Sequence, residues 1–258
     1  AIAEERDGLK KKGVFAYPST DEEKQEAEAV RPITSRYHFD IKLRAASCEK
    51  TGPTYVTLPD GRKVRYKARL VARGFTQRED IDFNIEETYA PTPQLASIRL
   101  LLAQTTGLGW ELAQLDVRQA FLVAELPEEE QMHMRLPGGE GLVKLLRSIY
   151  GLRQSAHHWH REIKGTLIKH GFTCVDADQG VYVLYDEVGK LRCALALHVD
   201  DCLISAPSAL LEETVARLKA AYDSERSPAD WFLKMSIRRS ADGRTLSLSQ
   251  RDFALEII

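Results

Sequence analysis

The chain has 258 residues, enough to bury a core in one large domain or two modest ones. Its 36 Lys and Arg against 38 Asp and Glu leave a formal net charge of −2, which excludes bulk basicity as a reason to bind nucleic acid and confines any such role to local patches. Four cysteines (Cys48, Cys174, Cys193 and Cys202) without a CxxC pair exclude a zinc ribbon and suit a reduced, intracellular chain, and no apolar run approaches the ~20 residues of a membrane span.

In chain order, residues 1–12 read as a short charged helix, and TDEEKQEAEAV (20–30) as an exposed acidic loop or marginal helix. From 33 to 75, ITSRYHFDIKL, a turn at Pro59-Asp60-Gly61 and VRYKARLVARGF predict a cationic β-hairpin. QLASIRLLLAQTTG (94–107) has helical spacing and a C-cap expected at Gly107. WELAQLDV (110–117) is a strand, and ELPEEE (125–130) is read as solvated surface. A helix over 154–170 closes at Gly171, followed by strand, turn, strand, turn, strand through LHVDDCLIS. A helix over 209–224 and a hairpin turning at Asp242-Gly243 complete the chain. Helices mixed with hairpins, rather than repeated βαβ units, predict an α+β architecture on a mostly antiparallel sheet. The chain opens on Ala1 and stops in mid-pattern at Ile257–Ile258, as expected of a piece of something longer.

The chemistry concentrates on three acids. Alternation puts Leu195, Leu197 and Val199 on one strand face, and Ala194, Ala196, His198 and Asp200 on the other, which is expected to be open, with Asp201 beside Asp200. In ELAQLDV, Leu115 and Val117 point one way and Asp116 the other. Two strands ending in exposed carboxylates suit a pair of divalent ions if the strands are neighbours. Asp-Asp at a hairpin is also ordinary turn chemistry, so spacing alone leaves both readings open. Arg62 to Arg78 carries seven Lys or Arg and no Asp or Glu, a positive patch or a guarded edge strand. HHWH (157–160) with Cys174 offers a weaker zinc reading, because no second ligand pair stands nearby.

Taken together and in order, RYKARLVARGFTQ (65–77), ETYAPTPQLASIRLLLA (87–103), QLDVRQAFL (114–122), SIYGLRQSAHHW (148–159), LHVDDCLIS (197–205) and WFLKMSI (231–237) resemble the reverse transcriptase domain of copia-type retrotransposon Pol polyproteins. The resemblance implies a polymerase right-hand fold of fingers and palm, with 1–109 fingers-rich, 110–225 palm, and 226–258 a primer-grip-like hairpin before an incomplete thumb. It implies RNA-directed DNA polymerase activity with two Mg2+ ions (Mn2+ as a substitute), the dNTPs as substrates, and an RNA or DNA template with its primer. Integrase and ribonuclease H segments are expected outside this chain.

Carried onto this sequence, Asp116, Asp200 and Asp201 are the catalytic and metal-binding acids, with the Val117 carbonyl as a further metal ligand. Lys67, Arg69, Arg118, Phe121, Tyr150, Gly151 and Gln154 are the implied nucleotide-binding residues. Phe121 falls where an aromatic blocks a ribose 2′-hydroxyl; a core aromatic is the alternative. His198, Trp231, Phe232, Leu233, Lys234 and Met235 are the implied primer contacts. The sequence departs from the family at His198 (usually Tyr), Lys234 (commonly Gly), Ala156 (usually Pro) and an insertion at Asn84-Ile85. Histidine ordinarily titrates near ~6.5, so weaker activity in acid is expected. The alternatives are a catalytically inactive domain that still binds nucleic acid and, further off, a metal-dependent phosphohydrolase.

Overall fold

A computed structural model describes residues 1–44 and 54–257; Cys48 and Ile258 lie outside them. The elements in chain order are α1 (Ile2–Lys11), β1 (Phe15–Ala16), α2 (Asp21–Ala29), β2 (Ile33–Arg44), β3 (Tyr55–Thr57), β4 (Lys63–Ala72), α3 (Leu95–Gly107), β5 (Glu111–Val117), β6 (His133–Arg135), β7 (Leu142–Leu145), α4 (Ser155–Lys169), β8 (Thr173–Val175), β9 (Asp178–Tyr185), β10 (Leu191–His198), β11 (Asp201–Ala206), α5 (Ser208–Ala221), β12 (Ser224–Ser227), β13 (Trp231–Phe232), β14 (Met235–Arg239), β15 (Leu246–Ser249) and α6 (Arg251–Ile257). The acidic stretch after Ser19 is a helix because Thr20 and Glu23 form a reciprocal capping box at its start. Gly107 is the last residue of α3 rather than its cap. The left-handed residue is Gly109, at φ +64°.

The chain divides into two compact units, Ala1–Tyr89 with Phe121–Trp159, and Ala90–Ala120 with the chain from His160 onward. The first unit holds a six-stranded sheet in the order β1-β7-β6-β2-β4-β3, antiparallel except where β2 meets β6. The single hairpin expected over 33–75 is instead three strands. β4 pairs with β2 along its length and with short β3 on its other side, and the turn at Asp60-Gly61 joins β3 to β4. Leu9, Leu70, Met134, Leu145 and Ile149 anchor this unit's core. Glu5 of α1 is buried beside it, and its carboxylate accepts the Leu70 amide at 3.1 Å. Burial raises its pKa, with that hydrogen bond and the Lys67 and Arg69 charges opposing.

In the second unit, a six-stranded sheet runs β12-β5-β11-β10-β9-β8, with β13-β14-β15 as a separate three-stranded sheet. The alanine face of β10, expected to be open, is covered. Ala194, Ala196 and Leu203 pack against Ile98, Leu101 and Leu102 of α3 and against Phe232, Met235 and Ile237. Small side chains on the strand let a helix approach closely, and the buried Thr105–Ser205 hydroxyl pair at 2.6 Å ties α3 down. Cys193, Leu195, Leu197, Cys202 and Ile204 on the other face are buried as well, and α5 packs against β5, β10 and β11.

The β13–β14 hairpin turns through Leu233 and Lys234, at φ +48° and +61°. Two consecutive positive φ values are what a type I′ turn demands, which explains why glycine suits position 234. Lys234 keeps its Nζ 4.1 Å from the centre of the Phe253 ring, a modest compensation. Lys234→Gly is expected to stabilise the chain by roughly 0.5–1 kcal/mol. Equilibrium urea unfolding checks this, and an unchanged or lower midpoint would contradict the assignment of strain.

Candidate active site

β10 and β11 form a hairpin whose last register pair is His198↔Asp201, leaving Val199 and Asp200 as a two-residue turn. Val199 sits at φ +57°, a position where glycine is the usual first turn residue and a β-branched side chain is an outlier costing about 1–3 kcal/mol. The turn is held by β5, whose Val117 amide donates to the Asp200 carbonyl at 2.7 Å. β5 runs antiparallel beside β11 with Asp116 opposite Asp201. The neighbour relation required by the two-acid reading is therefore present. One detail differs from simple alternation. The two-residue turn breaks the strand period, so His198 shares its face with Asp201 and Asp116, not with Asp200.

Asp116 and Asp200 are exposed, whereas Asp201 is partly buried and both its carboxylate oxygens accept from the Gln114 amide, at 2.8 and 2.9 Å. Burial pushes the Asp201 carboxyl up to about 6; Gln114 opposes the rise, and the charges of Asp116 and Asp200 add to it. Asp201 thus senses both of the other acids. Among the described residues, no three His, Cys, Asp or Glu side chains form a ready-made metal cage. Carboxylate oxygens that repel one another at an exposed strand end still fit a hard divalent cation, which keeps waters and takes few protein ligands. Val117 has a buried side chain. Arg118 reaches back to β12, 2.7 Å from Glu225 and 3.7 Å from Asp223.

In the first unit, several of the implied nucleotide-binding residues meet. The Tyr150 ring packs edge-on to Phe121 at 5.5 Å, and the Arg69 guanidinium lies 5.9 Å from its centre. The Ala72 amide donates to the Tyr150 carbonyl, and the Gly74 amide to that of Gly151. Gly151, at φ +92°, is required by the chain itself, because a Cβ there would collide with the Ala72 carbonyl. Lys67 is half-buried, and burial followed by the Arg69 and Arg65 charges lowers its pKa.

Gln154 is fully buried. Its Oε1 accepts from Gln77 at 3.0 Å, and its Nε2 donates to the Asp82 carbonyl at 3.2 Å and to Glu130 at 3.1 Å. Glu130 also meets His158 Nε2 at 2.8 Å, so one residue of the loop read as solvated surface turns inward. Gln77, Glu130 and His158 carried no sequence signal for this network, since each partner is distant in the chain. The HHWH histidines are engaged separately, His157 with the Tyr89 carbonyl, His158 with Glu130 and His160 with the Tyr182 hydroxyl. Of the implied primer contacts, Phe232 and Met235 are core residues, while Trp231 is 38% exposed.

The Asp201 shift has a signed consequence. Between the ordinary 3.8 and about 6, the folded chain holds a proton that the unfolded chain releases. Stability therefore falls as pH rises through that window, and the penalty is fully present above it. Asp201→Asn removes the buried charge and is expected to raise metal-free stability near pH 8 by about 1–2 kcal/mol, discounted for partial exposure. The gain vanishes near pH 4. Thermal unfolding of both proteins across this range measures it, and a pH-independent difference would contradict the stated cause.

The chain matches the family model described as reverse transcriptase (RNA-dependent DNA polymerase) over residues 54–258. It is 33% identical over 208 residues to the retrovirus-related Pol polyprotein from transposon RE2 of Arabidopsis thaliana, covering 77% of this chain and 14% of that protein. It is 30% identical over 267 residues to the Pol polyprotein from transposon TNT 1-94 of Nicotiana tabacum, covering 100% of this chain and 18% of that one. The foamy viral protease-reverse transcriptase in complex with dsDNA has a TM-score of 0.47 at 14% identity, over 100% of this chain and 43% of its own. The chain therefore spans 14–18% of the length of these two curated relatives. With a family match over most of its length and a relative aligned from end to end, the chain belongs to the reverse transcriptase (RNA-dependent DNA polymerase) family, in the form carried by copia-type transposon Pol polyproteins.

Proposed function

We propose that the chain extends a primer 3′-hydroxyl with deoxynucleotides on an RNA or DNA template. The observation that carries this reading is the convergence of Asp116, Asp200 and Asp201 at one end of adjacent strands. Asp116 and Asp200 are the exposed carboxylates that would hold two magnesium or manganese ions, with Asp201 and the Val117 carbonyl assisting. When bound, such ions supply charge neutralisation at the attacking and leaving oxygens of phosphoryl transfer.

The chain's own groups do the positioning. Gln114 orients the Asp201 carboxylate, and the Val117 amide fixes the Asp200 backbone. Lys67, Arg69 and Arg118 are proposed to meet the triphosphate, Arg118 on release from Glu225. Phe121 takes the role of sugar discriminator, and Tyr150 and Gly151 support the incoming nucleotide. Gln154, being buried, acts through the chain around it. Trp231, Leu233 and Lys234 are the primer-side surface, with Phe232 and Met235 supporting it from the core, and His198 beside Asp201 faces the primer terminus. In this functional division 1–109 serves as fingers, 110–225 as palm and 226–258 as primer grip, with ribonuclease H and integrase supplied by other segments of a longer Pol protein.

Primer extension with magnesium or manganese tests the reading. Asp116→Asn and Asp200→Asn are each expected to keep the fold and lose about 10³-fold or more in incorporation, since each removes a ligand worth several kcal/mol of transition-state stabilisation. Extension by Asp200→Asn at the parental rate would refute the site. The departures at His198 and Lys234 favour one competing reading, an inactive nucleic-acid-binding domain. It predicts salt-dependent binding to a primer–template without extension by the parent chain.

A further inference from the structure

β2 pairs with β4 from Ser35 to Arg44, but on its other side β6 meets it only at Ile33 and Thr34. Among the described residues, no strand pairs with the rest of that edge. The ladder fixes what the edge presents. The amides of Tyr66 and Leu70 point away from β2, to the Thr54 carbonyl and the Glu5 carboxylate. Their cross-strand partners Ile41 and Tyr37 must then turn their own amides and carbonyls away from β4, and by the two-residue period so must Phe39 and Leu43.

The side chains of these same residues share one face. Phe39 is 61% exposed, Ile41 60% and Leu43 60%, with Tyr66 opposite Ile41 at 45%. His38, Asp40 and Lys42 alternate with them on the other face. Single-copy proteins usually blunt such an edge with charged side chains, proline, a bulge or an inward-pointing charge. From Tyr37 to Leu43 there is no proline, the β2–β4 register runs without a shift, and the charged residues lie only on the already polar face. A long free edge with an exposed apolar row is a template for strand addition.

We propose that β2 is the contact strand of a symmetric dimer, in which a second copy of this chain adds its β2 antiparallel to the first. Self-complementarity selects this occupant. With the two-fold axis at Ile41, that residue faces the partner's Ile41, Phe39 faces the partner's Leu43, and Asp40 faces the partner's Lys42. Apolar pairs fall on the apolar face, and opposite charges fall on the polar one. Moving the axis by one residue sets Asp40 against the partner's Asp40 or Lys42 against the partner's Lys42, so charge rejects the neighbouring registers. The outward amides of Phe39, Ile41 and Leu43 also make these the hydrogen-bonded pairs of the ladder. The contact is small, so the dimer is a weak, reversible one. Lys67 and Arg69, on the polar face, stay uncovered.

Sedimentation equilibrium of the intact chain, up to about 100 µM to populate an interface of this small class, is expected to show a monomer–dimer equilibrium. Ile41→Lys, at an exposed position that folding does not need, should weaken it at least tenfold, the size expected for like charges meeting on the axis. Ile41→Cys, with Cys48→Ser and Cys174→Ser, should oxidise to a covalent dimer, because Cα atoms about 5.5 Å apart can be bridged by a disulfide. His38→Cys in the same background should not. A monomer at every concentration, association indifferent to Ile41→Lys, or equal cross-linking at 38 and 41 would each overturn the proposal.

Discussion

The Val117 amide bonded to the Asp200 carbonyl at 2.7 Å is the contact on which the site depends. It ties the tip of one hairpin to the end of a strand more than eighty residues earlier in the chain, and so fixes where three acidic side chains stand. It also backs the two-residue turn that holds Val199 at positive φ, a region a β-branched residue otherwise avoids. The bond extends the β5–β11 ladder by one step, so the stability of the second unit's sheet and the placement of the acids come from the same hydrogen bonds.

Electrostatic tension at this strand end is compatible with a folded protein because the rest of the sheet is apolar on both faces. α3 and the β13–β14 hairpin cover one side, while leucine, isoleucine and cysteine fill the other. That burial supports an acid whose proton is held up to about 6. Gln114 softens the penalty without removing it, since an amide donor stabilises the ionised form but carries no charge. A bound cation, as the proposed function requires, would do more, because it carries the opposite charge.

Much of this was legible in the sequence because it rests on local pattern. The helices at 95–107, 155–169 and 208–221, the strands around Asp116 and Asp200, and the α+β class follow from apolar periodicity and turn residues. The placement of His198 beside Asp201 was not legible, because a two-residue turn resets the alternation and only the observed register reveals where it falls. The closed alanine face is not legible for a related reason: a strand's own sequence does not say which helix lies over it. Glu130 turning in to His158 and Gln154 depends on three segments meeting, which no spacing rule encodes. That Phe232 and Met235 are buried is not legible either, since a motif marks a segment and not the side that faces outward.

The proposed function requires the acids at positions 116, 200 and 201 to form one cation-binding locus on one strand end. Paramagnetic broadening by Mn2+ in amide-resolved NMR addresses it without relying on turnover. The signals of Val117, Val199 and Asp201 are expected to fade together at substoichiometric Mn2+, with Asp116→Asn and Asp200→Asn each weakening the effect at all of these positions. Broadening confined to one strand, or centred elsewhere in the chain, would contradict it.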